Sequence, residues 1–191
     1  MKKLLFSLVL TSLVLGGISL QAQQTRAASS GGNSPHETTG GVIGDRRSGA
    51  RVTVTYGRPF KKDRKIWGSA ADKALVPDGK AWRLGSDEAT LLVTQQPLAF
   101  GETTIPAGAY TLYLVPGETG AKLAFSTALG GWGIPVDEKH DLARVDMKKE
   151  TIEKSAEQLT IAVARDEAGT GGVLKISWDT VQFSAPFTVK K

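Results

Sequence analysis

The residues best equipped for recognition chemistry crowd into one stretch of the chain: Tyr56, Arg58, Arg64, Trp67, Trp82, Arg83, Asp87 and Glu88. Indoles offer flat apolar faces and guanidinium groups offer paired, directed donors, a combination that suits a sugar or a carboxylated ligand. If the strand ending at Tyr56 lies beside the Trp82-Arg83 pair, these groups line one pocket. On that reading Trp82, Arg83, Arg58 and Trp67 hold a small polar ligand, and Glu88 orients the arginines. The same residue types also close the end of a β-sandwich, with Arg stacked on Trp at ~0.5–2 kcal/mol per contact and paired to Glu88 or Asp87, as structural ion-pair networks often are.

Catalytic chemistry finds fewer handles, and no catalytic set is assigned. The chain has two histidines, His36 and His140, and no cysteine, so thiolate chemistry is excluded. Asp137, His140 and Asp141 put oxygen and nitrogen ligands close together, and His36 with Glu37 offers a second pair. Zinc needs three or four ligands in a fixed geometry, and no regular element fixes this spacing. An exposed charged loop is the expectation there, with no metal and no other cofactor. Nucleophilic hydrolysis needs an activated Ser or Thr beside a His, and there is no G-x-S-x-G elbow. A glycosidase-type carboxylate pair could draw on Glu88 or Asp87 with a partner elsewhere. The two cannot form that pair by themselves if the segment is extended, because adjacent strand residues face opposite ways. Gly169 to Gly172 lacks the Lys and following helix of a phosphate loop and reads as a hairpin connection.

The elements that must position these residues are strands. Val52, Val54 and Tyr56 alternate with Arg51, Thr53 and Thr55, the period of a half-buried strand. Similar runs cover Thr90–Thr94, Ala109–Val115, Lys122–Ser126, Leu159–Ala164, Val173–Trp178 and Val181–Val189. Turn signals separate them, among them Pro59, Pro77-Asp78-Gly79, Pro97, Pro106-Ala107-Gly108, Pro116-Gly117 and Gly130-Gly131. The pattern predicts an all-β domain, a single antiparallel β-sandwich or jelly-roll-like fold, with one or two short helices at Ser69–Leu75 and Lys148–Glu157. No repeat of 20 to 50 residues points to a propeller or solenoid.

The N-terminus reads as a secretory signal over 1–22: Lys2 and Lys3, an apolar run from Leu4 to Leu15 broken only by Ser7, Thr11 and Ser12, then Gly16 and Gly17, a polar stretch beginning at Gln21, and the small Ala22 as the cleavage residue. The run is shorter than the roughly 20 residues that span a bilayer, so the mature chain is expected to have no membrane span. Without a cysteine, lipoprotein anchoring is closed and no disulfide staples the fold. Residues 23–44 are mostly Ser, Thr, Gly, Gln, Asn and Ala and read as a flexible tether whose last part can dock on the domain. The remaining stretch, 45–191, is about 150 residues, enough for one domain with its own core. The formal charge is +5, and losing Lys2 and Lys3 with the signal leaves +3. Basic and acidic residues alternate, as in Lys61-Lys62-Asp63-Arg64-Lys65, so nucleic acid is not an expected partner.

Five motifs in order carry a family resemblance: Tyr56-Gly57-Arg58-Pro59 with Arg64-Lys65-Ile66-Trp67-Gly68; Leu75 through Pro77, Gly79 and Trp82 to Arg83; Gly85 through Glu88 to Thr90; Ala107-Gly108-Ala109-Tyr110-Thr111-Leu112 with Pro116-Gly117; and Ile176-Ser177-Trp178. Together, from about Ser34 to Val189, the chain resembles the bacterial domain-of-unknown-function 2911 family. The resemblance implies a secreted or periplasmic β-rich protein and supplies no reaction, ligand or catalytic residue. The chain departs from the family pattern at Asp78, where an aromatic residue is expected, and at Asp63, where a Gly is expected; either change could alter a ligand surface.

The expectation from sequence is therefore an exported protein, periplasmic or extracellular, that acts as a non-enzymatic binding or envelope-interaction module. Its partner would be a glycan, a cell-wall fragment or a small carboxylated ligand. Two alternatives stay open: an envelope hydrolase using Glu88, Asp87 or His36, and a purely structural envelope protein. The oligomeric state is left unassigned.

Overall fold

The computed structural model describes residues 34–45, 47 and 49–190. The signal segment 1–22 and the tether as far as residue 33 lie outside the described residues.

Among the described residues eleven strands are present: β1 (His36–Ile43), β2 (Ala50–Gly57), β3 (Trp67–Gly68), β4 (Val76–Pro77), β5 (Thr90–Thr94), β6 (Leu98–Phe100), β7 (Thr103–Ile105), β8 (Gly108–Pro116), β9 (Gly120–Ser126), β10 (Asp141–Arg165) and β11 (Gly171–Val189). Nine of them form one antiparallel sheet in the order β1-β2-β5-β8-β9-β10-β11-β6-β7, and β3 pairs with β4 in parallel. The architecture is thus all-β, as the period-two runs require. In β2, Ala50, Val52, Val54 and Tyr56 are buried while the residues between them are exposed or half-buried. In β11, Leu174, Ile176 and Trp178 repeat the pattern. Each buried face covers apolar surface at about 25 cal/mol per Å², and the same core takes in Phe125, Phe183, Leu112 and Leu92.

β10 is 25 residues long and serves both halves of the molecule. Its first part pairs with β9, from Ala143 opposite Phe125 to Lys148 opposite Gly120. Register shifts follow between Thr151 and Ala156 and between Ala156 and Thr160, and such bulges bend a strand. The second part then meets the strands at the other end of the sheet. The Arg58 Nε donates to the Leu159 carbonyl at 3.0 Å, and the Arg165 Nε donates to the Val42 carbonyl at 3.1 Å. The sheet curls around its core without closing into a barrel.

Three local readings are corrected. Ser69–Leu75 is a turn: the Asp72 carboxylate accepts from the Ser69 backbone N–H at 3.1 Å and its hydroxyl at 2.8 Å, and Lys73 adopts φ +56°. Side-chain bonds of this kind compete with helix formation in so short a segment. Lys148–Glu157 is the middle of β10, where Lys148 to Thr151 pair with Ser184 to Val181; ladder pairing overrides the weak helix preference of Lys and Glu. Among the described residues the helix that does form is a single 3-10 turn, Glu138–His140. Val173–Trp178 and Val181–Val189, read as two separate runs, are one continuous strand, with Asp179 at φ +54° between them. The last part of the tether docks as β1, paired residue by residue with β2 from His36 opposite Gly57 to Ile43 opposite Ala50.

Candidate functional site

Three indoles meet beside the small parallel pair. Trp67, on β3, donates its ring N–H to the Trp178 carbonyl on β11 at 2.8 Å. Trp82 is fixed by a backbone bridge to Leu114 of β8, with N···O distances of 2.8 and 2.9 Å in the two directions. Its ring stacks on Trp178 at 5.7 Å and 18°, and Trp67 sits edge-on to both. The Arg64 guanidinium lies 5.7 Å from the centre of the Trp178 ring and is held by the carbonyls of Lys61 and Phe60.

This cluster borders a cleft of about 580 Å³, with Arg64, Trp82, Arg83, Ser86, Leu75 and Ile134 in its lining and Trp178 beneath. Leu75 and Ile134 remain 43% and 63% exposed at its rim. Among the described residues its lining contributes two guanidinium groups and neither a carboxylate nor an imidazole. The Ser86 hydroxyl and the Trp178 ring N–H are buried without a hydrogen-bond partner.

Arg83 joins the cleft to the glycine-rich loop 129–136. Its Nη1 donates to the carbonyls of Asp87 at 2.7 Å and Trp132 at 3.2 Å, its Nε donates to the Gly85 carbonyl at 3.3 Å, and its guanidinium lies 5.5 Å from the Trp132 ring centre. Burial lowers the Arg83 pKa from its ordinary value, opposed by the negative charge of Asp87 and Glu88. Gly133 adopts φ +77°, and a Cβ there would come within 3.0 Å of the Arg83 Cβ and 3.1 Å of the Ala89 Cβ. Only glycine allows the loop to approach this closely.

The eight residues singled out from the sequence therefore divide. Arg64, Trp82 and Arg83 line the cleft, and Trp67 packs edge-on against Trp82 and Trp178 without lining it. Tyr56 and Arg58 do not line it either: the Tyr56 hydroxyl accepts from the Ile161 N–H at 2.8 Å, and Arg58 bonds to Leu159, Thr160 at 3.1 Å and Glu37. These two fasten β1 and β2 to β10. Burial raises the Tyr56 pKa to about 12.

Asp87 and Glu88 turn to His36 instead. The His36 Nε2 is 3.0 Å from Glu88 and 3.9 Å from Asp87, although the ring nitrogens lack well-directed hydrogen bonds. Both carboxylates reach one imidazole because 84–88 is a bend rather than a strand, with Asp87 at φ +63°. The expectation that Glu88 orients the arginines is corrected: backbone carbonyls orient Arg64 and Arg83, and Glu37 holds Arg58.

Around His140, Asp137 accepts from the Lys139 N–H at 3.1 Å and lies 3.0 Å from the ring Nδ1. Asp141 faces away toward the Tyr113 hydroxyl at 2.5 Å and the Arg144 Nε at 2.7 Å. Among the described residues no three His, Cys, Asp or Glu side chains are grouped to hold a metal ion. Sequence reasoning missed Trp178 and the loop 129–136 as parts of the site. Leu129, Trp132 and Ile134 between glycines were the available signal for the loop, because exposed apolar residues at a glycine-rich turn have no core to fill.

A family model described as "Protein of unknown function (DUF2911)" matches residues 34–187. No curated protein and no solved structure matches the chain.

Proposed function

The chain belongs to the DUF2911 family, and on that premise we propose that it is an exported, non-enzymatic binding module for a small carboxylated ligand with a flat apolar face. The observation that carries this reading is the cleft lining: the Trp82 indole beside Arg64 and Arg83, with no acid or base among the lining groups. Two guanidinium groups favour an anionic ligand over a neutral glycan, since each carries a positive charge and keeps N–H donors beyond those its carbonyl partners take, the Arg83 Nη2 and the Arg64 Nη1, and charge-assisted bonds are the stronger ones. The absence of a lining general base removes the group that would activate water. The signal-like N-terminus supports an encounter in the cell envelope or outside it.

Isothermal titration of the full chain with N-acetyl-phenylalanine tests the reading. Trp82→Ala and Arg83→Lys are each expected to weaken binding at least tenfold in protein that circular dichroism shows to be folded, with a lower melting temperature for Trp82→Ala because that indole also stacks on Trp178. Unchanged affinity in both variants would place the ligand elsewhere.

A second reading rests on the 3.0 Å approach of His36 to Glu88, with Asp87 held at positive φ beside them. A carboxylate beside an imidazole is one component of a hydrolase arrangement, and strained backbone gathers at functional sites. Under it, Glu88→Gln abolishes ester or amide turnover. Turnover retained at the wild-type rate removes Glu88 from the chemistry.

A further inference from the structure

A second cavity lies directly behind Arg83. It measures about 110 Å³, and Arg83, Pro135 and Val136 line both it and the larger cleft. The two spaces are therefore neighbours across a thin wall whose one charged group is a guanidinium. The cavity's remaining walls are chiefly apolar, formed by Ala89, Leu112, Ala128 and Leu129. Its polar groups are already engaged: the Thr111 hydroxyl donates to the Ala128 carbonyl at 2.6 Å, the Ser126 Oγ accepts from the Ala128 N–H at 3.3 Å, the Tyr113 hydroxyl donates to Asp141 at 2.5 Å, and the Asp137 carboxylate, the one acid in the lining, accepts from the Lys139 N–H at 3.1 Å and lies 3.0 Å from the His140 Nδ1. Groups satisfied in this way do not call for a polar occupant, and an apolar cavity takes up apolar groups.

We infer that the ligand is bipartite. Its carboxylate is held by Arg83, its flat group lies against Trp82 in the cleft, and a short alkyl chain attached near the carboxylate enters the cavity beneath the loop 129–136. The volume sets the size of that chain. At about 110 Å³ the cavity is smaller than the ~150 Å³ apolar cavity that accepts benzene in another protein, so it takes an alkyl group of a few carbons and refuses an aromatic ring. This inference rests on the carboxylate-binding reading and names the ligand class for the same site: a carboxylate bearing one flat and one short alkyl substituent.

Titration of the full chain with N-acetyl-, N-butanoyl- and N-benzoyl-phenylalanine is the test. The two extra methylenes of the butanoyl group should tighten binding roughly tenfold over acetyl, and the benzoyl compound should show no gain. Ala128→Leu and, independently, Ala89→Leu fill the cavity. In either variant that remains folded by circular dichroism, the butanoyl advantage should disappear while acetyl binding persists. Equal affinities for acetyl and butanoyl in the wild type, an equal gain for benzoyl, or a butanoyl advantage that survives in the filled variants would overturn the alkyl pocket and leave carboxylate binding standing. If none of the three compounds binds the wild type, the carboxylate reading fails and the alkyl pocket with it.

Discussion

Tyr56 illustrates how a residue suited to recognition can be committed to structure. Its hydroxyl accepts the Ile161 N–H of β10 at 2.8 Å and is 1% exposed as a residue. Replacing it with Phe leaves a buried donor unpaired, which costs about 1–3 kcal/mol. Tyr56→Phe is therefore expected to lower the unfolding free energy obtained from denaturant titration by that amount and to leave affinity for N-acetyl-phenylalanine unchanged. A loss of affinity without a loss of stability would put Tyr56 in the site. Arg58 was equally attractive as a ligand-binding group, but its guanidinium is divided among Leu159, Thr160 and Glu37. Residue type was legible in both cases; the partner was not, because Leu159, Thr160 and Ile161 lie about a hundred positions away in the chain.

At the scale of elements, β1 decides whether β2 has an open edge. Gly40 sits in β1 at φ +129°, and a Cβ there would lie 2.0 Å from the Val52 carbonyl oxygen. No rotamer relieves a clash with backbone. Gly40→Ala is expected to unpair β1, exposing its backbone to rapid hydrogen exchange and lowering the melting temperature by several degrees, as a loss of about 1–2 kcal/mol does for a domain of this size. Slow exchange in β1 of that variant would contradict the assigned register. The polar composition of this segment resembles a tether, since Gly40, Gly41 and the threonines bury little; it is ordered by ladder bonds to β2 and by Glu37 reaching Arg58. Lys148–Glu157 teaches the converse lesson. Its composition suits a helix, yet a helix there would have Ile152 as its one large apolar residue, and pairing with β11 satisfies the backbone instead.

The whole molecule has an alkaline limit that its tyrosines set. Burial raises the pKa of all three, Tyr56, Tyr110 and Tyr113, and for Tyr113 the Asp141 carboxylate adds to the shift. An unfolded chain ionises its phenols near pH 10, whereas Tyr56 in the fold holds its proton to about 12. The unfolded state thus releases protons first, and stability falls as pH rises from about 10 to 12 while remaining fully present below. Tyrosinate absorbance should stay flat through pH 10 and then rise together with loss of near-ultraviolet circular dichroism. A rise centred on pH 10 in a protein that keeps its near-ultraviolet signal would show the phenols to be open to water.

Alternation of apolar and polar residues determined the strands, because a pleated backbone turns successive side chains to opposite faces whatever surrounds it. Gly and Pro marked most turns for an equally local reason. The clustering of Trp and Arg between Arg64 and Arg83 marked the neighbourhood of the site. Tertiary structure alone decided which of those residues face a cleft, that Trp178 from the far end of the chain lies beneath it, that Asp87 and Glu88 turn to His36, and that Arg83 stands between two cavities. These are contacts between segments remote in sequence, and their geometry follows from how the sheet curls around its core, which no local pattern of residues encodes.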